Sequence, residues 1–348
     1  MSIDSASKEI SRATIKDVAR HAGVSVATVS RVINKNGQVA KETSDRVWCA
    51  VSELKYAPHA AAKGLRSHRT QTVGFLVPEI SAPFQFPLLR GIETIARKSG
   101  YSLLIHATQD IPLLSQPLRP IGEHNTDGLL VLVGSLTEEE ILYFYRLRFP
   151  IVLICQSAPQ SLDIPSVLFE NKSGAKKIVD HLIEAHGYRR IAFLRGPDSQ
   201  EDSYWREQGY YESLKAHQIP IDPNLIGMGE FDEEAARIIV KNWMKEKIEF
   251  DAIFAGDDES AIGAILAIHD MGKRVPHDIA VVGFDDAYLT HARIPPLTTV
   301  HNPIEEMGRK AMQQLVQLIQ TGIADMKTLL PTELIIRHSC GCKDDTSE

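Results

Sequence analysis

Two different periods of hydrophobic and polar positions divide the chain. Between residues 14 and 55, apolar residues recur at spacings of three and four, the period of α-helices that bury one face. From residue 72 onward, short continuous apolar runs alternate with helix-length amphipathic segments. The pattern predicts a small helical domain followed by a larger α/β body, whose parallel sheets are covered by helices on both faces.

The helical region carries start and turn signals. Thr14 and Asp17 form a capping-box pair, in which a hydroxyl caps a helix and a carboxylate three residues later bonds back. Gly23 permits a sharp turn, and Ser25 can cap the helix that follows. A third amphipathic helix is predicted over about residues 41–55. The three helices predict a compact helix-turn-helix headpiece.

The second helix of this pattern is predicted to enter a DNA major groove. Arg31 can donate two hydrogen bonds to guanine, whereas Val26 and Ala27 offer apolar contacts such as those to thymine methyl groups. Short polar side chains suited to phosphate oxygens accompany them: Thr14, Ser25, Thr28, Ser30 and Asn34. Local capping is the alternative role for the hydroxyls, and Ser25 can do both.

The body has the strand and helix signals of doubly wound sheets. The predicted strands cover residues 72–78, 101–107, 127–134, 150–155, 166–171, 189–196, 251–258 and 279–286. Predicted helices between them include residues 86–99, 173–186, 232–247 and 259–271. Ligands of such sheets bind beyond the carboxyl ends of the strands, so the residues that follow each strand are the candidates for a site.

Polar and aromatic side chains follow several of these strands. The candidates for binding a small-molecule effector are Ser81, Phe84, Gln85, Arg206, Phe231, Asp257 and Asp285. Carboxylates accept hydrogen bonds from sugar hydroxyls, guanidinium groups donate to them, and aromatic faces cover the C–H face of a sugar ring. The set therefore predicts a sugar or a sugar derivative as the ligand. An ion pair between subdomains, or a surface role, is the alternative for Arg206 and Asp285.

Charge is distributed unevenly along the chain. Residues 1–70 carry a net charge of +6 and the remaining residues −13, which together give the net charge of −7. A basic end on an acidic body is expected when only that end meets phosphates. No apolar run is long enough for a membrane span, and the first residues lack the apolar core of a secretion signal, so a cytoplasmic location is expected.

Cysteine usage predicts neither a disulfide framework nor a metal site. Four cysteines in 348 residues are too few for such a framework, and Cys49 is predicted to be a buried thiol of the third helix. Cys340 and Cys342 follow His338 closely, but two thiols and one imidazole with no second cluster do not make a zinc signature. No cofactor is predicted.

Several motifs resemble the LacI/GalR family of bacterial transcription regulators. They are TIKDVARHAGVSVATVSRVIN (14–34), AAKGLR (61–66), VGFLVP (73–78), DGLL (127–130), VVGFDD (281–286) and PPLTT (295–299). The resemblance follows family order along nearly the whole chain. It implies an N-terminal all-α helix-turn-helix headpiece with a hinge helix, followed by a periplasmic-binding-protein-like body of two doubly wound parallel-sheet subdomains.

The resemblance also implies domain boundaries. The expected segments are a disordered tail (1–13), the headpiece (14–58), a hinge helix and linker (59–70), the effector-binding and dimerisation body (71–342), and a short tail (343–348). Within the body, one subdomain is expected to hold about 71–167 and 300–328, and the other about 168–299 and 329–342.

The hinge segment is implied to bind the minor groove. Leu65 is expected to pair with its dimer mate and wedge into a central CpG step, while Ala62 contacts the groove floor. The alternative role for Leu65 is packing against the effector domain. An isolated two-turn helix is unstable in water, so this segment is expected to fold only on DNA.

Three departures from the family pattern are visible. Asp257 stands where Asn is common, which favours ligands that offer hydroxyl or amine donors. Ala40 stands where Ser or Thr often caps the third helix, so that cap is expected from Thr43 or not at all. Three prolines between residues 110 and 120 are expected to shorten or displace a helix.

The function expected from these features is that of a repressor which binds a pseudopalindromic operator as a homodimer and is controlled allosterically by the effector. The resemblance implies that helices near residues 72–100 and 259–275 form the dimer interface. Because only a short tail follows Cys342, no heptad helix for a tetramer is expected. A transport binding protein would need a secretion signal and has no use for a DNA-reading headpiece. A dinucleotide-dependent enzyme would need a G-x-G-x-x-G fingerprint after a strand, which this sequence lacks.

Overall fold

The computed structural model describes residues 13–33, 37–56, 69–81, 84–108, 111–115, 121–159, 162–287 and 295–342. The chain forms two compact units, residues 1–70 and 71–348. Several predictions lie outside the described residues: those for Asn34, for Ala62 and Leu65 of the hinge, and for most of the two tails.

Three helices pack together in the first unit: α1 (Ile15–Ala22), α2 (Val26–Ile33) and α3 (Lys41–Glu53). Each contributes a fully buried valine to one small core: Val18, Val29 and Val47. The turn between α1 and α2 passes through Gly23 at a φ of 65°, a left-handed conformation that glycine adopts without strain. The predicted helix-turn-helix is confirmed.

The third helix departs from the sequence prediction at one residue. Cys49 is exposed rather than buried, and its thiol donates to a carboxylate oxygen of Glu53 at 3.3 Å. The prediction was wrong because Val47 and Ala50 occupy the buried face of α3. Ala40 provides no side-chain cap, so α3 begins without one.

The second unit is built from parallel strands and the helices that connect them. Its strands are β1 (Thr72–Val77), β2 (Ser102–Ala107), β3 (Leu129–Leu132), β4 (Ile151–Ile154), β5 (Ser166–Phe169), β6 (Ile191–Arg195), β7 (Ile226–Met228), β8 (Ala252–Ala255), β9 (Ala280–Val282), β10 (Thr299–His301), β11 (Lys327–Leu330) and β12 (Glu333–Ile335). Its α-helices are α4 (Gln85–Lys98), α5 (Glu138–Arg146), α6 (Asn171–His186), α7 (Glu201–Ala216), α8 (Glu233–Lys245), α9 (Asp258–Asp270) and α10 (Ile304–Thr321).

These strands form two parallel sheets. The six-stranded sheet has the order β11-β5-β4-β3-β1-β2, and the four-stranded sheet has the order β7-β6-β8-β9. A short antiparallel pair, β10 and β12, accompanies them. The strand order reverses between β1 and β3 in the first sheet and between β6 and β8 in the second, and such reversals open a crevice at the carboxyl ends. The predicted α/β architecture is confirmed.

Alternating side chains along each strand fill cores on both faces of its sheet. In β1, Phe75 lies in the core beside α4 and α10, whereas Leu76 lies in the core on the opposite face. In β6, Leu194 and Phe193 are divided in the same way between two further cores. This double burial explains why the strands read as continuous apolar runs.

The chain passes between the two sheets more than once. Strands β5 and β11 belong to the six-stranded sheet, so the chain leaves that sheet after Phe169 and again after Leu330. The described part of the proline-rich segment holds only a short 3-10 turn, Leu113–Ser115. Among the described helices, none combines the length and apolar character needed to cross a membrane.

Candidate functional site

Helix α2 turns one side inward and the other outward. Val29 and Val32 are buried in the headpiece core. Val26 is 40% exposed, and Ala27 and Arg31 are exposed as well. An exposed apolar pair with a single guanidinium group is a surface that can contact thymine methyl groups and a guanine edge.

Two of the predicted phosphate-contacting hydroxyls, those of Thr14 and Ser25, precede helices and also serve as caps. The Thr14 hydroxyl donates to Asp17 Oδ2 at 2.6 Å and accepts from the Asp17 amide at 3.4 Å. These hydrogen bonds lower the pKa of Asp17. The Ser25 hydroxyl accepts from the Thr28 amide at 3.1 Å and lies 2.9 Å from the Thr28 hydroxyl. Capping uses only part of the hydrogen-bonding capacity of a hydroxyl, so Ser25 can still meet a phosphate. Ser30 is half-buried on the same helix.

Arg206 is the centre of a second candidate site. It lies on α7, which follows β6, and it is 3% exposed. Its guanidinium group donates to Asn171 Oδ1 at 2.9 Å, to Asp285 Oδ1 at 2.9 Å and to the carbonyl of Gly256. A buried cation requires such a full set of partners, because leaving it unpaired costs about 3–5 kcal/mol.

Two aromatic rings face the same guanidinium group. Arg206 Cζ lies 4.0 Å from the centroid of Phe284 and 5.3 Å from that of Phe231. Phe231 lies directly on Gly196, where a Cβ atom would come within 2.2 Å of the Phe231 ring. Any larger residue at position 196 would displace Phe231, so the glycine keeps the ring beside the arginine.

Three carboxylates act on the charge of this arginine, those of Asp285, Asp202 and Asp257, and Asp258 lies next to the last of them in the sequence. Asp285 accepts hydrogen bonds from Arg206 and, at 2.7 Å, from the side-chain carboxamide of Asn302. Asp202 accepts a hydrogen bond from the side-chain carboxamide of Asn171 at 2.7 Å. Asp257 and Asp258 lie at the start of α9, where Asp257 caps the helix by accepting from the Ser260 amide at 3.0 Å. Asp257 therefore combines a structural role with its predicted place in the site.

Burial changes the protonation of these acids. It raises the pKa of Asp257 to about 7, with the negative charge of Asp285 adding to the effect. It raises the pKa of Asp202 to about 6, although the positive charge of Arg206 opposes the change. The pKa values of Asp258 and Asp285 are raised by burial as well. The site therefore carries more protons, and less negative charge, than its composition indicates.

The predicted residues divide into two groups in the structure. Arg206, Phe231, Asp257 and Asp285 meet in one cluster at the reversal between β6 and β8, hereafter the Arg206 cluster. Ser81, Phe84 and Gln85 follow β1 at the other reversal. Ser81 is exposed, Phe84 packs on the first sheet's core, and Gln85 donates to the carbonyl of Glu79. The carboxamide oxygen of Gln85 is buried without a hydrogen-bond partner.

Other residues connect the first sheet to this cluster. Cys155 follows β4, and burial together with the charges of Asp202 and Asp285 raises its pKa well above the ordinary value. Ser157 donates its backbone amide to Glu201 Oε2 at 2.6 Å and its hydroxyl to Glu201 Oε1 at 2.9 Å. Glu201 begins α7, so these bonds join the end of β4 to the helix that carries Arg206.

Four residues in or beside the Arg206 cluster were not predicted from the sequence: Asn171, Asp202, Ser157 and Glu201. Asn171 and Ser157 follow β5 and β4, so the rule that sites lie beyond strand ends already included them. Asn171 and Asp202 also line a cavity of about 430 Å³, together with Trp205. A second cavity of about 600 Å³, beside Tyr211 and Pro220, contains none of the predicted effector residues.

Comparison with known proteins identifies both parts of the chain. Residues 14–59 match the family model described as bacterial regulatory proteins, lacI family, and residues 179–340 match the periplasmic binding protein-like domain. The ribose operon repressor of Halalkalibacterium halodurans is 34% identical over 94% of this chain and 96% of its own length. The chain belongs to the lacI family. It is accordingly a DNA-binding repressor with an effector domain, and not an enzyme.

Solved structures of lacI-family proteins agree with this assignment. The Lac repressor dimer bound to operator and the anti-inducer ONPF is 27% identical, with a TM-score of 0.81 over 94% of this chain and 99% of that one. The complex of the transcriptional regulator CelR with cellobiose is 29% identical, with a TM-score of 0.69 over 94% of this chain and 100% of that one.

Proposed function

We propose that the protein is a homodimeric repressor that binds a pseudopalindromic operator and responds to a sugar or sugar derivative bound at the Arg206 cluster. The observation that carries the effector part is the Arg206 cluster itself, in which a guanidinium group, carboxylates and two aromatic rings meet at a strand-order reversal. Such a site offers donors and acceptors for vicinal hydroxyls and a ring face for the sugar's C–H groups. The similar regulator crystallised with cellobiose supports this class of ligand.

DNA reading is assigned to the headpiece and the hinge segment. Helix α2 would enter the major groove with Arg31, Val26 and Ala27 at the base edges. Thr14, Ser25, Thr28, Ser30 and Asn34 would contact phosphates. In a dimer, two copies of Leu65 would wedge into the central CpG step, with Ala62 on the groove floor. The similar Lac repressor was solved as a dimer on its operator, which supports a dimer here.

Coupling between the effector site and the DNA-binding headpiece would let the effector control operator binding. Effector binding would change the relative placement of the two subdomains and thereby the stability of the hinge segment on DNA. Such coupling is reciprocal, so operator DNA must alter effector affinity by the same factor. The protein would act in the cytoplasm, where it meets both DNA and imported sugars.

Two measurements on the full-length protein test this proposal. Selection from a random DNA library should enrich inverted repeats around a central CpG. A thermal-shift screen of sugars, sugar phosphates, nucleobases and nucleosides should give stabilisation by a sugar, since a ligand at 100 times its Kd stabilises by about 2.7 kcal/mol. Stabilisation by nucleobases alone would reject the sugar assignment and leave the DNA assignment standing.

Substitution of Leu65 by Ala tests the wedge. Removing the apolar side chain should abolish operator bending and specific binding, because the unstacked step would lose its support. Effector binding should be unchanged. Gel-shift titration with circularly permuted operator fragments measures both affinity and bending, and unchanged operator affinity would exclude the assigned role.

A further inference from the structure

Two histidines and two cysteines from distant parts of the sequence meet at one end of α6. His181 and His186 belong to the last turns of that helix, whereas Cys340 and Cys342 flank Gly341 near the end of the described chain. One ligand atom from each of the four lies within 4.8 Å of all the others. These four residues are hereafter the C-terminal Cys2His2 cluster.

Two of the distances in this cluster match those of a tetrahedral zinc site. Cys342 Sγ lies 3.6 Å from His181 Nε2 and 3.4 Å from His186 Nε2. With Zn–S bonds of about 2.3 Å and Zn–N bonds of about 2.0–2.1 Å, the S···N edge of a regular tetrahedron is about 3.5 Å. None of the four cysteines forms a disulfide in the structure. We infer that the C-terminal Cys2His2 cluster binds one zinc ion.

Local structure holds the ligands in this arrangement. Gly341 has a φ of 108°, and a Cβ atom there would lie 3.3 Å from the His186 ring, so glycine lets the turn pass close to the imidazole. The Tyr188 ring stacks on His186 with centroids 5.3 Å apart, and its hydroxyl donates to the Cys340 carbonyl at 3.3 Å. Contacts of this kind orient metal ligands before the metal binds.

Simple core packing does not account for the whole cluster. Cys340 is fully buried and packs in an apolar core, as an ordinary cysteine does. Cys342 is only partly buried, yet two imidazole nitrogens lie around its sulfur. The Thr298 hydroxyl also donates to Cys340 Sγ at 3.2 Å, and such a donor stabilises a thiolate. A thiolate pair with two neutral imidazoles suits Zn²⁺ in charge and in donor type.

Zinc would attach the C-terminal segment to α6. Ser339 already joins this segment to the second sheet, since its carbonyl accepts from Val281 at 2.9 Å and its hydroxyl from Thr298 at 2.8 Å. A metal bridge would add α6 to this connection. The site therefore stabilises the second subdomain, and its role is separate from that of the Arg206 cluster.

Metal analysis of the full-length protein tests the inference. Protein purified under reducing conditions from zinc-supplemented cells should contain one zinc ion per chain by inductively coupled plasma mass spectrometry. Cys342→Ser and His186→Gln should each lose it. The matched controls Cys49→Ser and His124→Gln change an exposed thiol and an exposed imidazole elsewhere, and both should keep the metal.

Cobalt reconstitution tests the same site without any substitution. Wild-type protein loaded with Co²⁺ should show a thiolate-to-cobalt charge-transfer band and the intense visible bands of tetrahedral coordination. Zinc that is absent from wild-type protein, or zinc retained equally by Cys342→Ser and His186→Gln, would overturn the inference. A Cys340–Cys342 disulfide that persists under reducing conditions would overturn it as well.

Discussion

At the scale of single residues, Arg206 has the most demanding environment in the effector domain. It is almost completely buried, and its charge is shared among a carboxylate, a carboxamide and a carbonyl. The planar, forked guanidinium group reaches all three acceptors at once, which the single ammonium group of lysine cannot do. The geometry of the site therefore depends on arginine and not merely on a positive charge.

Substitution of Arg206 by Lys is expected to weaken effector binding at least tenfold, that is by about 1.4 kcal/mol or more. The charge remains, but the fork that orients Asp285 and Asn171 is lost. Isothermal titration with the effector measures the change. The control Arg237→Lys alters a partly exposed arginine paired with Asp270, and its effector affinity should equal that of wild type. Equal affinity in both variants would contradict the assigned role.

Asp257 is expected to make stability depend on pH. Its pKa rises from an ordinary 3.8 to about 7 in the folded protein, so between these values the folded state holds a proton that the unfolded state has released. The stabilisation linked to this proton is complete below about pH 4 and is lost as pH rises through 7. The folded protein should therefore lose stability across that range.

Asp257→Asn removes this titration and keeps the helix cap, because Asn caps as well as Asp. Relative to wild type, the variant should gain stability between about pH 5 and pH 8, on the order of 1–3 kcal/mol. Urea unfolding at several pH values measures the difference. A wild-type-to-variant difference that does not change with pH would show that Asp257 does not titrate in this range.

At the scale of elements, α2 is divided between core and DNA surface by its helical period. Val29 and Val32 are buried in the headpiece core, whereas Val26, Ala27 and Arg31 are exposed. Arg31 is the one of these with several directional donors, so base discrimination should depend on it more than on Val26 or Ala27.

Arg31→Met should reduce the preference for operator over unrelated DNA by about 1–3 kcal/mol, because the guanine contact is lost. Competition gel shifts at fixed salt compare the two affinities. Arg146→Met changes an exposed arginine on α5 and should leave the preference intact. A uniform loss on all DNA in the Arg31 variant would identify a phosphate contact instead.

The longer elements were predictable from sequence, and several contacts were not. Strands such as Thr72–Val77 are continuous apolar runs because both of their faces are buried, and that pattern is visible in the sequence. The exposure of Cys49 depends on which side of α3 faces the core. Val47 and Ala50 lie on that side, and only the packed structure shows this orientation. The imidazoles beside Cys342 belong to two histidines more than 150 residues earlier, so local spacing gives no sign of them.

The residues of the candidate effector site could be predicted from the sequence, but their hydrogen-bond partners could not. Arg206 and Asp285 follow different strands, and the rule for strand ends placed both at one crevice. The hydrogen bond from Arg206 to Asn171 depends on how α6 and α7 pack, which no sequence period encodes. The pKa of Asp257 likewise depends on burial beside Asp285.

At the scale of the whole molecule, the net positive and net negative charges lie in different parts of the chain. The +6 end attracts the DNA phosphates, and the −13 body repels them. In the proposed homodimer, two such basic ends would face the two halves of a two-fold symmetric operator. Helix α4 lies in the expected interface, and its Phe86 side chain is 67% exposed.

Phe86→Glu should shift the dimer toward monomer and weaken operator binding, because it places a charge in an apolar interface. Sedimentation velocity at micromolar concentration measures the oligomeric state. Ile323→Glu is the matched control, since Ile323 is 69% exposed and lies outside the expected interface. A monomeric wild-type protein in the presence of operator would refute the dimer.

The Ser157–Glu201 contact has a consequence for regulation before any effector arrives. The carboxylate of Glu201, at the start of α7, accepts from both the backbone amide and the hydroxyl of Ser157, which follows strand β4 of the other sheet. Hydrogen bonds to a charged group contribute about 1.5–3 kcal/mol each, enough to shift a two-state equilibrium tenfold or more. In the proposed mechanism, this contact would bias the resting population of subdomain arrangements. Its strength would then set the basal level of repression, and an effector would act by changing an equilibrium that Glu201 already shifts.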